Sequence, residues 1–533
     1  MRKIYSLLSI ALIVLFVACS CSEKEDLPII SKPKEEVINP ISQFVYDGLS
    51  TYYLWSNEMI NKKPTIKDND PEEYFESVLY KTDTNNGWSW ITDDAKGLIA
   101  ESKGEPKSFG YSLSFMQTKN NAIYAFVKYT YANTPASNAG LQRLDLIGKI
   151  NGQAITTVRG ADGKDYISQR DIDLLYGNNA VSFTIYKLTD DGIVYDKEIQ
   201  VSPATIKTDP VLYDEVYTIG DKKIGYLFYT SFISNYNDRL FEVFSRFKNE
   251  GVTDLVLDLR YNPGGGINAA SYLVSLFAPK SSVDEKTVLT TLTYNTFLND
   301  LYDENRWSRD TKLGDYQEKD EYKDGKLNRK AEPNPLDANL NLNKVYIIAT
   351  GSSASASELT TFCSRPIMGE SNVIHIGEKT SGKYTASFTI HPYDRNIGQP
   401  IYEERDLSAK EKSAFKNWAM QPIVAIYTDR NGRNFINPGY LKPDYPLSEG
   451  FGFIDNWTPI GDTKDVLLGQ ALYLITNDES FKPIEPVSTR ARSAQREMIE
   501  LSTRIDEAKP LIIDNIKLTP EDFKEIRRVR NME

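Results

Sequence analysis

Histidine is nearly missing from this chain: 533 residues contain two, His375 and His391. Imidazole is the usual proton acceptor for a nucleophilic side chain, so such chemistry here needs another base. Cysteine is scarce as well. Cys19 and Cys21 sit beside the N-terminus and Cys363 lies far beyond them, a pattern that implies neither a disulfide framework nor a Cys/His zinc cluster. Positive charge is in deficit, with 62 Lys and Arg against 74 Asp and Glu and a net charge of -12. Phosphate backbones attract basic surfaces, so the balance speaks against a nucleic-acid partner. The apolar run Leu7 to Val17 is too short to cross a bilayer as a mature helix.

What is present is ordinary globular composition, 40% hydrophobic and 26% charged with 33 tyrosines, in a chain long enough for roughly two to four domains. Arg2 and Lys3 ahead of the apolar run, then Ala18 and Cys19, read as a signal peptide over residues 1–18. "FVAC" resembles a lipoprotein processing box, which implies lipidation of Cys19 and a membrane-anchored, exported bacterial lipoprotein, periplasmic or at the cell surface. Residues 19–40 then form a charged, Pro-containing tether.

Residues 41–105 lean helical, with Phe44, Val45, Leu49, Tyr52, Tyr53 and Met59 at helical spacing. Strand-like text follows, then "TPASNAGLQRLDLIGKINGQAI". A short helix there should stop at Gly140, a strand should end at Ile150, and Asn151-Gly152 should turn a hairpin. This stretch resembles a PDZ domain of bacterial proteases over residues 106–204. The resemblance implies a groove that takes an extended peptide by strand addition, with Phe109, Gly110 and Tyr111 in the carboxylate-binding loop. From residue 205 to 478 strands and helices alternate as in an α/β core. A charged, turn-rich excursion interrupts it at about 281–342, and residues 479–533 read as a charged helical extension built around "RARSAQREMIELSTRIDEAK".

Two strand, Gly-rich turn and helix units stand out. "LVLDLR" runs into Asn262-Pro263-Gly264-Gly265-Gly266, and "KVYIIAT" runs through Gly351 into "SSASASEL". Glycine leaves amides unobstructed and a helix start turns them outward, so converging units could hold a developing oxyanion while a serine attacks. Further on, "GEKTSGK" begins like a phosphate-binding loop. Tyr384 stands where that motif needs Ser or Thr, and a strand-like pattern follows where it needs a helix. Lys383 suits a different task, because a desolvated lysine can lose its proton and act as a base.

In this order, "LDLRYNPGGG", "GSSASASEL" and "GEKTSGK" behind a PDZ-like segment resemble the C-terminal processing peptidases, or tail-specific proteases, over about residues 41–475. The resemblance implies a multidomain α/β and α+β protein: a crotonase-like protease core, the PDZ-like domain and a small N-terminal helical domain. It places the nucleophile at Ser355 and the base at Lys383, with backbone amides of Gly264 or Gly265 and of Ala356 as the oxyanion hole. Ser353, Ser357 and Glu358 become turn and helix-start residues. Ser387 stands where many members carry a glutamine that orients the lysine. The implied activity is a serine endopeptidase acting on unfolded polypeptides or exposed C-termini, without metal or cofactor. The alternatives are a non-catalytic peptide- or ligand-binding protein on the same scaffold and a phosphate-nest enzyme. The sequence says nothing of oligomeric state.

Overall fold

The computed structural model describes residues 37–530 except 161–162, 190–191, 324–325, 451–452, 454–456, 484–497, 502–510 and 514–517. The expected signal peptide, Cys19 and nearly all of the tether therefore lie outside the described residues.

Helix α1 (Pro40–Tyr52) starts where the Asn39 side chain accepts the Ile41 amide and Pro40 fits the first turn. Asp70 caps α2 (Pro71–Val78) in the same manner, accepting the Glu72 and Glu73 amides. The apolar stripe of these helices does not form a core of its own. Phe44, Leu49, Tyr52 and Phe75 belong to one cluster with Leu227, Leu257 and Ile347, so the N-terminal helical segment shares its core with the α/β region.

A β-rich domain follows: strands β1 (Tyr111–Thr118), β2 (Ile123–Thr130) and β3 (Leu146–Ile150), helix α3 (Gln169–Tyr176), and strands β4 (Val181–Thr189) and β5 (Gly192–Val201). They form an antiparallel sheet in the order β5-β4-β3-β2-β1 over a separate core that includes Leu113, Val127, Ile147 and Phe183. The short helix Pro135–Asn138 ends ahead of Gly140, and Asn151 and Gly152 turn the hairpin with φ of 49 and 76°.

In the α/β region the elements run β6 (Val211–Ile219), β7 (Lys222–Tyr229), α4 (Asn237–Glu250), β8 (Asp254–Asp258), α5 (Ile267–Phe277), β9 (Val288–Tyr294), β10 (Val345–Ala349), α6 (Ala356–Met368), β11 (Val373–Gly377), β12 (Thr385–Ser387), β13 (Ile423–Asp429) and α7 (Val466–Thr476). The main sheet has the order β6-β7-β8-β10-β11 with Tyr445–Pro446 at its edge, and β7, β8, β10 and β11 are parallel. Helices cover such strands on both faces, which is why β8 and β10 are nearly unbroken apolar runs. Asp258 pairs with Ile348, so β8 and β10 end side by side. Sites in open α/β sheets form at these carboxyl ends.

The charged excursion is not all solvated surface. Strand β9 lies between Asp310–Lys312 and β13 in a second sheet, with Leu289 and Leu292 buried, and helix Thr296–Glu304 buries Leu298 and Tyr302. Charged neighbours hide these short apolar stretches from a composition window.

The C-terminal extension also differs from expectation. Where a charged helix was expected, Met498–Leu501 is a strand, β14, paired antiparallel with β1 from Met498↔Thr118 to Leu501↔Phe115. An open edge strand offers a row of unpaired backbone groups, and Leu501 packs against the β-rich core; both outweigh local helix propensity. Strand β15 (Leu511–Ile512) then runs parallel to β12, and helix α8 (Pro520–Arg530) buries Phe523, stacked on Tyr52 with ring centroids 6.0 Å apart.

Candidate active site

The two strand-turn-helix units interlock through their serines. Ser353 Oγ donates to the Leu259 carbonyl at 2.7 Å, and Ser357 Oγ donates to the Asn262 carbonyl at 2.9 Å. Both hydroxyls are thereby consumed in fastening the α6 turn to the glycine turn. Between them Ser355 is fully buried, and its Oγ has no hydrogen-bond partner among the described residues. Of the three serines in the S-A-S-A-S run, the middle one keeps its hydroxyl uncommitted.

Ser355 has φ of 58° and ψ of -109°. A serine held there is strained by roughly 1–3 kcal/mol, so surrounding contacts must impose the conformation. They are visible. Glu358 Oε2 accepts the Ser355 amide at 2.8 Å, and the Ser355 carbonyl accepts from the Leu359 amide at 2.7 Å and from the Tyr427 hydroxyl at 3.3 Å. Gly264 lies against this turn with φ of 109°, and a Cβ there would stand 2.7 Å from Ser355 Cβ and 3.1 Å from Ala356 N. Only glycine fits.

Lys383 is tied to the same two groups. Its amide donates to Glu358 Oε2 at 2.8 Å, and its carbonyl accepts from the Tyr427 hydroxyl at 3.3 Å. The other carboxylate oxygen, Oε1, accepts the Gly382 amide and the Thr380 hydroxyl. One buried carboxylate and one buried phenol therefore hold the serine and lysine backbones together from opposite sides. Burial pushes the Glu358 carboxyl above its ordinary value, and its four donors pull it back. The lysine side chain is itself buried.

Both histidines are buried, and each has one ring nitrogen engaged by the backbone. His375 Nε2 bonds to the Ala349 carbonyl, and His391 Nδ1 accepts the Tyr393 and Asp394 amides. Asp83, contributed by the N-terminal helical segment, lies in the field of Lys383. Burial raises its carboxyl, and the Ser89 and Tyr53 hydroxyls, the Ser89 amide and the nearby Lys383 oppose the rise.

Among the proposed oxyanion donors the structure separates Gly264 from the rest. The Gly264 amide donates to Asn262 Oδ1 at 2.9 Å and is unavailable in this conformation. The amides of Gly265 and Ala356 have no acceptor among the described residues. Ser387 is buried and its Oγ has no hydrogen-bond partner among the described residues, so it does not take over the lysine-orienting place of the family's glutamine through a hydrogen bond. Behind the glycine turn, buried Arg260 bonds Asp258, Asp465 and Glu449, and Arg143 of the β-rich domain reaches Glu449 and the Tyr261 hydroxyl. The β-rich domain is thus wired to the residues that lead into Asn262.

Sequence reasoning treated Glu358 as a helix-start residue and missed Asp83 and Tyr427. The S-x-x-E pattern was the available signal for Glu358; the other two come from distant segments. A cavity of about 1050 Å³ borders the glycine turn, lined among others by Tyr111 and Ser112 of β1, Phe232, Gly265, Phe388 and Ile512; Ser355 and Lys383 do not line it. In the loop ahead of β1, Phe109 faces the domain core and stacks on Tyr111 at 5.6 Å, while Gly110 takes φ of 90°.

Peptidase family S41 matches residues 223–447 and the Peptidase S41 N-terminal domain matches residues 40–90. A "Probable CtpA-like serine protease" of Staphylococcus aureus (strain MRSA252) is 26% identical over 260 residues, 47% of this chain and 45% of that protein. A protein of the same description from Staphylococcus haemolyticus is 28% identical over 186 residues, 33% of this chain and 34% of that protein. The matches thus span less than half the length of these relatives. In fold the chain is similar to a crystal structure from Bacteroides fragilis, provisionally assigned as an S41 protease. The TM-score is 0.58 at 24% identity, over 81% of this chain and 97% of that one. The two family matches together take in half of the chain and contain Ser355, Glu358, Lys383 and Asp83, and the chain belongs to peptidase family S41.

Proposed function

We propose that the protein is a serine endopeptidase in which Lys383 deprotonates Ser355. The observation that carries this reading is the Glu358 carboxylate accepting the amides of both residues, which ties the turn bearing a buried, uncommitted hydroxyl to the turn bearing a buried lysine. The neutral amine takes the proton from Oγ as Oγ attacks the scissile carbonyl. The oxyanion receives hydrogen bonds from the Gly265 and Ala356 amides. Collapse expels the leaving amine with the proton from the lysine ammonium, and water then hydrolyses the ester by the same route. Ser355→Ala should abolish cleavage of casein in a folded protein, and Lys383→Ala should do likewise. Lys383→Arg should not restore it, since a guanidinium does not lose its proton at working pH. Casein cleavage by Ser355→Ala at the parent rate would overturn the assignment.

The β-rich domain acts in this reading as a PDZ domain, offering an edge strand to unfolded or C-terminally exposed polypeptides before they reach Ser355. Its loop and the glycine turn open on one cavity, which supports a shared path. The N-terminal pattern supports export and lipid anchoring at Cys19. Fatty-acid labelling that persists in Cys19→Ala would refute Cys19 as the lipidated residue, Cys21 being the weaker candidate.

A further inference from the structure

One segment of the chain lies in both places where an extended substrate belongs. Strand β14 pairs with β1 antiparallel and runs toward the Phe109–Tyr111 loop, the direction in which a peptide adds to such an edge. Leu501 packs on the domain core while doing so. Ten residues later, within ~33 Å of extended chain, the same segment enters the cleft. The Ile512 amide donates to the Gly265 carbonyl and the Ile513 amide donates to the Ser387 carbonyl, both at 2.9 Å. Leu511 and Ile512 pair with Ala386 and Ser387, just past the lysine, while Gly266 bridges Ile512 from the oxyanion side. Ile512 and Ile513 line the cavity, and Ile513 is buried.

We propose that residues 498–501 and 511–513 are an intramolecular competitor of the substrate, so that the full chain rests in an occluded state and a polypeptide must displace its own C-terminal segment to be cleaved. This rests on the endopeptidase reading and adds to it a substrate class: extended chains with consecutive large apolar residues, the side chains the cleft now holds. A cap that only protected a sheet edge would account for β14 but not for a second strand laid between Gly265 and Ser387. The occupant is held in the cleft by few backbone hydrogen bonds, so displacement is within reach of a binding peptide. Tethering gives the segment a local concentration in the mM range, which keeps basal turnover low.

The double variant Leu501→Asp, Ile512→Pro removes the apolar contact on the β-rich core and the amide donated to Gly265, while Leu518 and Phe523 keep their packing. In a Ser355→Ala background, a fluorescent peptide with the sequence of residues 496–513 should bind this variant about tenfold or more tightly than the parent. With Ser355 restored, the variant should cleave casein faster by a similar factor. Equal peptide affinity in folded parent and variant overturns the proposal whatever the activity. Enhanced peptide binding with no cleavage by any version leaves the occluding segment in place and removes the protease reading. Should the variant fail to fold, a specific protease site placed at residues 485–490 and cut after folding supplies the same comparison on dilution, with unchanged peptide affinity again counting against the proposal.

Discussion

Glu358 has a demanding position: fully buried, it satisfies four donors, two from the lysine turn, one from the serine turn and one from Thr380. A carboxylate can do this because both oxygens only accept. In Glu358→Gln one oxygen becomes an NH2: at the Oε2 position it faces the Ser355 and Lys383 amides and bonds neither, and at the Oε1 position it loses the Gly382 amide while the Thr380 hydroxyl can turn to accept from it. Losing one or two buried hydrogen bonds should destabilise the fold by about 1–4 kcal/mol, read as a lower urea midpoint. The serine and lysine turns would also lose all or part of their common fastener, so casein turnover should fall by about tenfold or more, with near-parental secondary structure by circular dichroism. Parental turnover in this variant would show that the clamp does not position the pair.

At the scale of elements, long parallel strands and their glycine turns were readable directly, because apolar runs such as "LVLDL" and "VYIIA" have few other ways to be buried and the glycines mark where they end. The same holds for the Ala136-to-Gly152 stretch, whose turn residues are chemically distinctive. Short strands were not readable. Strand β14 has four residues and β15 two, and each exists because an edge elsewhere accepts it, information that resides in the partner rather than in the segment. Site residues divide along the same line. Ser355 and Lys383 sit in dense motifs, whereas Tyr427, which bonds the lysine carbonyl, and Asp83, which feels the lysine only electrostatically, come from elements remote in sequence, β13 and helix Lys81–Asn86. Nothing local marks either one. The N-terminal helices show the consequence of such long-range placement: their stripe looked like a domain core, but it packs into the α/β cluster and brings Asp83 within the electrostatic influence of Lys383.

For the whole molecule, the two histidines make stability depend on pH below neutrality. Both are fully buried, and burial lowers each to about 4 from an ordinary 6.5. His391 has a second reason to stay neutral, since protonating Nδ1 would break the hydrogen bonds from the Tyr393 and Asp394 amides. The unfolded chain binds these protons near pH 6.5 and the folded chain does not, so their contribution is complete above about 6.5 and declines as pH falls from there toward 4. At the low end each accounts for on the order of 3 kcal/mol. The urea midpoint should therefore decrease from pH 7 to pH 5, ahead of most carboxylate titration. In His391→Asn, whose side-chain oxygen can accept the same two amides without titrating, that slope should fall by about half. An unchanged slope would mean that His391 is already charged in the folded state. The same depression removes imidazole from the pH 5–8 window of the folded protein, so a rise in casein cleavage across that window would belong to a group other than either histidine.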